Sequence, residues 1–119
     1  MESSILKSVK LNLGLSPDYT PFDHDIVIFI NSALSAMEQL GIGPSGGYFI
    51  ENETNSWDDL LIPANQLHLL KTILYLRVRM LFDPPETSFH IQAMNEQIAQ
   101  FEWRISVMRE EALAQEVTP

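Results

Sequence analysis

Hydrophobic residues recur at intervals of three and four along most of the chain, a pattern typical of helices rather than strands. Four segments carry this pattern: residues 4–13, 20–40, 64–82 and 89–114. Gly14 and Gly41 mark the ends of the first two segments, since glycine commonly follows the last turn of a helix. In the second segment we expect Thr20 to cap the helix and Asp23 to complete a capping box. The pattern predicts an all-α fold, a small bundle of about four helices with a long C-terminal helix.

The third and fourth helices carry patterns that indicate more than one packing partner. The third is apolar on nearly all sides, so we expect it to be central or to be covered by another subunit. The fourth carries a heptad seam, which packs along a neighbouring helix. The seam consists of Ile91, Met94, Ile98, Phe101, Ile105, Met108 and Ala112. Trp103 and Val107 lie off the seam, which indicates a second partner for this helix.

A long loop, residues 41–63, separates the second helix from the third. Loops over about 15 residues are uncommon in small domains and are often functional. Residues 48–50 could form a short strand or a hairpin arm, and residues 57–61 could form a helical turn capped by Ser56. Trp57 needs burial, either in its own bundle or against a partner, and the sequence leaves both alternatives open.

The segment Asp83-Pro84-Pro85 predicts a sharp corner between the third and fourth helices. Each proline disfavours helical geometry in the residue before it and lacks the N–H that would continue the helix. Thr87 or Ser88 can then cap the fourth helix. We expect the corner to fix the angle between the two helices.

Composition is typical of a globular protein with one domain. The chain has 119 residues, of which 45% are hydrophobic and 19% are charged, and it has no cysteine. A core is feasible at this length, and disulfides and thiolate chemistry are excluded. No segment resembles a signal peptide or a membrane span, so we expect no membrane partner. We expect residues 1–111 to form the helical domain and residues 112–119 a tail that becomes ordered only on a partner.

Acidic residues dominate the charge of the chain, whose net charge is −9. The interval between Lys10 and Lys71 holds eight acids and no Lys or Arg. Gripping a phosphate backbone requires several basic side chains on one face, which this composition does not supply. Acid-rich surface could instead line a path for DNA without binding it. The alternative is that the charge serves ordinary solubility.

No residue pattern predicts a catalytic, cofactor-binding or metal-binding site. Gly41, Gly43 and Gly46 spell G-x-G-x-x-G, but the dinucleotide fingerprint needs a strand before it and a helix after it. The histidines, at positions 24, 68 and 90, form no metal-ligand motif. The sequence has no nucleophile elbow and no paired carboxylates predicted to converge. We therefore expect no enzyme activity and no cofactor.

Several motifs occur together in the second half of the chain and in the long loop. They are Asn55-Ser56-Trp57-Asp58-Asp59-Leu60-Leu61, Lys71-Thr72, Tyr75-Leu76-Arg77-Val78-Arg79, Phe82-Asp83-Pro84-Pro85 with Ser88-Phe89, and Glu102-Trp103-Arg104. This combination resembles the head–tail connector proteins of tailed bacteriophages, also called head-completion or adaptor proteins. The resemblance covers nearly the whole chain, apart from the first ten residues and those after Glu111.

The resemblance implies a structural virion protein without catalytic activity, made in the host bacterial cytoplasm and placed at the head–tail interface. Such proteins assemble as a ring, usually of twelve copies, below the portal protein and above a neck or tail-completion protein. DNA passes through the lumen without specific binding. The candidates for the interface between subunits or with the portal are Trp57, Arg77, Arg79, Trp103, Arg104 and Arg109. The candidate lumen-facing acids are Glu51, Glu53, Asp58 and Asp59, and Asp83, Pro84 and Pro85 form the structural corner.

A competing hypothesis is a cellular protein-interaction module that acts as a small oligomer through its fourth helix. A ring would exclude this hypothesis. A third hypothesis, a DNA-binding regulator, is opposed by the net charge of −9 and by the lack of a basic helix.

Overall fold

The computed structural model describes residues 3–117 and has the helices that the sequence predicts. They are α1, Ile5–Asn12; α2, Asp23–Gln39; a short 3₁₀ helix, Trp57–Leu60; α3, Ala64–Phe82; and α4, Ser88–Val117. Within the described residues the chain forms no extended strand, only an isolated antiparallel bridge between Ser4 and Ser56. The predicted all-α bundle with a long loop and a long C-terminal helix is confirmed.

Helix α3 is the centre of the bundle. Helices α2 and α4 pack on it, and α1 packs against both α2 and α3. Residues of α3 that face these neighbours, such as Ile73, Leu74 and Val78, are fully buried. The apolar pattern on nearly all sides of this helix therefore reflects a central position within one chain. One end of its outer surface stays open, because Leu81 is exposed.

Helix α1 brings a lysine into the core. Ser4 caps the helix, with its side chain accepting a hydrogen bond from the Lys7 amide. Lys10, only 1% exposed, places its ammonium 2.7 Å from the Asp23 carboxylate and donates a hydrogen bond of 2.9 Å to the Pro17 carbonyl. The helix thereby fixes both the connection after it and the first residue of α2.

The predicted capping box at the start of α2 is wrong. The residue that caps α2 is Phe22, and no side chain bonds to the first turn. Thr20 instead closes a turn, its carbonyl accepting from the Asp23 amide. The physical reason is that the Asp23 carboxylate is taken by the ammonium of Lys10, a residue too distant in sequence for a local pattern to include.

Helix α4 begins at Ser88, shortly after the proline corner, and extends further than predicted. The Thr87 hydroxyl accepts from the His90 amide at 3.2 Å, so Thr87 does the capping. The seven seam residues are all buried or half-buried, which confirms the seam. The helix continues to Val117 instead of ending at residue 114, because residues 112–117 contain good helix formers and no glycine or proline. Residues 118 and 119 of the predicted tail lie outside the described residues.

The long loop is held by side chains rather than by strand pairing. The Asn31 amide group bonds to both the N–H and the carbonyl of Ile50, at 2.8 and 3.0 Å. The predicted strand at residues 48–50 is absent because Asn31 on α2 supplies these hydrogen bonds instead. The predicted helical turn is present as the 3₁₀ helix, with a capping box formed by Ser56 and Asp59.

Candidate functional site

Since the sequence has no catalytic motif, the candidate functional site is the outer surface of the protein. Each predicted interface residue lies either on that surface or in the core. Trp57 is part of the core. It is 4% exposed, its indole Nε1 donates to the Ser8 hydroxyl at 3.0 Å, and the Lys71 ammonium lies 5.2 Å from the ring centre. Of the two alternatives that the sequence leaves open for Trp57, these contacts support burial in its own bundle.

Arg77 is engaged within its own chain. Its guanidinium contacts the Glu102 carboxylate through Nε and Nη2, each 2.6 Å from the same oxygen. This ion pair joins α3 to α4 and links two of the sequence motifs, Tyr75-Leu76-Arg77-Val78-Arg79 and Glu102-Trp103-Arg104. Both side chains are only partly exposed, so the pair positions α4 on α3.

Arg109 fastens the C-terminal half of α4 to the end of α2. Its Nε donates to the Gly41 carbonyl at 2.8 Å. Gly41 has a φ of +77°, and a Cβ atom at this position would lie 2.4 Å from the guanidinium. The left-handed backbone favours glycine here, and a larger residue would also displace the Arg109 guanidinium from its bond to the carbonyl.

Trp103 and Arg104 lie on the outside of α4. Trp103 is 67% exposed and Phe89, two heptads earlier, is 76% exposed. Arg104 is exposed and sits 6.0 Å from the Phe101 ring. Large exposed aromatic side chains are energetic anchors at protein interfaces, so this face of α4 is a candidate contact surface. Trp103 was a predicted interface residue because of its position off the seam, whereas Phe89 was not among the predicted interface residues.

Arg79 lines an open groove at the proline corner. The other walls of this groove come from the corner, Asp83 to Glu86, and from α4 at His90 and Met94. Among the described side chains Arg79 makes no ion pair. At the corner, α3 ends at Phe82 and Asp83 adopts a non-helical conformation, with φ −148° and ψ 70°.

The candidate lumen-facing acids divide into two groups. Glu51, Glu53 and Asp58 are exposed on the loop and the 3₁₀ helix. Asp59 has a structural task, because its carboxylate accepts hydrogen bonds from the Ser56 amide and the Tyr48 hydroxyl.

These two bonds also set the titration of the pair. The Ser56 amide, and after it the Tyr48 hydroxyl, lower the pKa of Asp59 below its usual value of 3.8. Burial raises the pKa of Tyr48 above 10.0, and its bond to Asp59 adds to this effect. Both groups are therefore held in the charge states that favour the bond at neutral pH.

Two residues with clear tasks had no signal in the sequence analysis. Asn31 on α2 anchors the long loop. Lys10 at the end of α1 is buried. Both bond to partners at least seven residues away, so no local pattern identifies them.

The described residues hold no cluster of three metal-ligating side chains. None of the described helices is long and apolar enough to cross a membrane.

The comparisons with known proteins give one match. The family described as phage connector protein matches residues 5–112, nearly all of the helical domain. No curated protein matches the chain, and no solved structure matches it. The match includes α1, α2, the 3₁₀ helix, α3 and α4 up to residue 112, with all of the motifs on α3 and α4. The chain therefore belongs to the phage connector protein family and is a structural component of the virion.

Proposed function

We propose that this protein forms a ring below the portal, extends the DNA channel and joins the phage head to the neck or tail. The observation that carries this proposal is the exposed outer face of α4, where most of the surface of Phe89 and Trp103 remains uncovered by the bundle. A monomer with its core already filled needs no such aromatic surface. A subunit in an assembly does, because these side chains are buried by a neighbour.

The arrangement of the helices suits a ring. Helices α2 and α4 flank the central α3, so their outer faces are different surfaces of one molecule. A contact between two different surfaces repeats from copy to copy and closes when the rotation allows it. The resemblance to head–tail connectors suggests twelve copies.

Among the predicted interface residues, Trp103, Arg104 and Arg79 remain the strongest candidates for contacts with another subunit or with the portal. Arg77 and Arg109 support the same surface from behind, because their bonds to Glu102 and Gly41 hold α4 in place. Trp57 is buried, so it supports the fold of the subunit rather than a contact surface.

The acid-rich loop is our candidate for the wall of the DNA channel. Glu51, Glu53 and Asp58 are exposed, and the interval between Lys10 and Lys71 has no positive charge. Carboxylates repel phosphates at short range, so DNA would pass without being held. The proposed partners are the portal protein, the next neck or tail-completion protein and DNA, and the protein would be made in the host cytoplasm.

Electron microscopy of the purified protein, alone and mixed with the portal of the same phage, tests this proposal. We expect a ring stacked on the portal, with its copy number visible in end-on views. A stable small oligomer that does not associate with the portal would contradict the proposal and would favour the protein-interaction module.

A further inference from the structure

The outer face of α4 has a regular pattern of its own. Phe89, Glu96, Trp103 and Glu110 follow one another at intervals of seven residues, so they lie on one side of the helix, opposite the seam. All four are exposed. We call this set the acidic ridge. Trp103 has a carboxylate on each side, about 10 Å away along the helix axis.

A surface of the opposite character lies on α1 and α3. Lys7 and Leu11 are four residues apart and share the outer face of α1, and Leu11 is exposed. Trp57 connects this face to α3. Its indole donates a hydrogen bond to Ser8 on α1, and the Lys71 ammonium of α3 lies over its ring. We call Lys7, Leu11 and Lys71 the basic patch.

The basic patch stands out in a chain of net charge −9. Among the described side chains, no carboxylate lies within ion-pair distance of Lys7 or Lys71. The other positive groups are differently placed. Lys10 and Arg77 are paired, Arg109 holds a carbonyl, and the groove of Arg79 already contains Asp83 and Glu86. Arg104 lies on α4 itself, next to the Phe101 ring.

We propose that the acidic ridge of one copy docks on the basic patch of the next copy. This inference rests on the proposed ring and names the two surfaces that build it. Trp103 packs against Leu11, while Glu110 pairs with Lys7 and Lys71. The charges are complementary, and an exposed aromatic meets an exposed aliphatic side chain. Because the two surfaces differ, the contact is head-to-tail, as a ring requires.

Cysteine cross-linking tests this contact directly, because the natural chain has no cysteine. A chain carrying both Lys7→Cys and Glu110→Cys, treated with a short bismaleimide under ring-forming conditions, is expected to give a ladder of covalent oligomers. Each single variant is expected to stay monomeric on a denaturing gel. The matched control pairs Phe49→Cys with Glu110→Cys, since Phe49 is exposed but lies outside the basic patch.

A second measurement compares the self-association of variants that lack Trp103 or the charges of the two surfaces. Trp103→Ala is expected to weaken self-association by about tenfold or more, whereas Phe49→Ala leaves it unchanged. Glu96→Lys/Glu110→Lys is expected to weaken it as well, and adding Lys7→Glu is expected to restore part of the loss. Circular dichroism of each variant verifies that the monomer remains folded.

The outcomes separate this inference from the proposed function. Wild-type rings without a double-cysteine ladder, or a Trp103→Ala variant whose self-association is as strong as that of wild type, would overturn the ridge-to-patch contact alone. Loss of portal binding in Trp103→Ala with intact rings would assign the ridge to the portal and overturn the inference. Absence of wild-type rings, with or without the portal, would contradict the proposed function itself.

Discussion

Lys10 illustrates how one residue can bind three parts of a small protein together. Its ammonium sits among α1, the following connection and the start of α2, in contact with Pro17 and Asp23. A buried charge is tolerated only when it is paired and hydrogen-bonded. The pair therefore specifies how α1 docks, and removing one partner leaves the other without compensation.

Replacing Lys10 by methionine is expected to lower the free energy of unfolding by about 3 kcal/mol, the lower end of the cost of breaking a buried ion pair. We expect the lower end because the Asp23 side chain is 23% exposed, so part of it stays in contact with water. The double variant Lys10→Met/Asp23→Asn is expected to recover part of the loss, because no unpaired carboxylate remains. Urea unfolding of the single and double variants measures both effects.

The matched control is Lys7→Met, on the same helix but without an ion pair among the described side chains. It is expected to change stability by less than about 0.5 kcal/mol, as surface substitutions usually do. Equal losses in Lys10→Met and Lys7→Met would contradict the structural role of the buried pair.

At the scale of elements, the 3₁₀ helix organises the long loop. Its capping box consists of Ser56 and Asp59, and its tryptophan reaches under α1 to Ser8. The loop is thus an ordered part of the bundle, fixed at Ile50 by Asn31 and at the 3₁₀ helix by Asp59. The exposed acids of the loop therefore lie on an ordered backbone.

The lowered pKa of Asp59 predicts that the stability of this ordered loop decreases at acidic pH. Because folding lowers the pKa below 3.8, the stabilising contribution is complete above that value and is lost as the pH falls through the folded-state pKa. Wild type is therefore expected to be more stable than Asp59→Asn at neutral pH, and the difference is expected to shrink below about pH 4. Thermal unfolding at a series of pH values measures it.

Asp58→Asn serves as the control, because the described part of the chain supplies no hydrogen-bond donor to the Asp58 carboxylate. This variant is expected to unfold like wild type. A difference between wild type and Asp59→Asn that stays constant down to pH 2 would contradict the assigned role of the Asp59 carboxylate.

At the scale of the whole molecule, α4 packs against the bundle along most of its length and ends in exposed residues. Ile105 is fully buried and Arg109 bonds to Gly41, so the bundle holds α4 up to this point. Beyond it, residues 113–115 are exposed. We expect the exposed side chains at this end of the helix to contact another protein.

Deleting residues 112–119 is expected to weaken binding to the portal while leaving the fold intact. The fold is expected to persist because the deletion removes one seam residue, Ala112, whereas Ile105 stays in the core and Arg109 keeps its bond to Gly41. Co-sedimentation with portal rings measures the binding, and circular dichroism measures the fold. Deleting residues 118–119 alone is the control, and unchanged portal binding after the longer deletion would contradict the prediction.

The sequence by itself determined the elements. Hydrophobic spacing, glycine stops and the Pro84-Pro85 corner act locally, within one or two helical turns, so α3, the seam of α4 and the capping by Ser56 are predictable from neighbours in the chain. The family resemblance was equally accessible, because its motifs are short runs of residues on those same elements.

Only the tertiary structure decided which polar side chains face inward. Lys10 with Asp23, Asn31 with Ile50 and Arg77 with Glu102 are pairs separated by 13 to 25 residues, and their geometry depends on how whole helices dock. The same docking buried Trp57 and left Trp103 outside. Two tryptophans with similar chemistry thus acquired different roles, because burial is a property of the packed bundle and not of the local sequence.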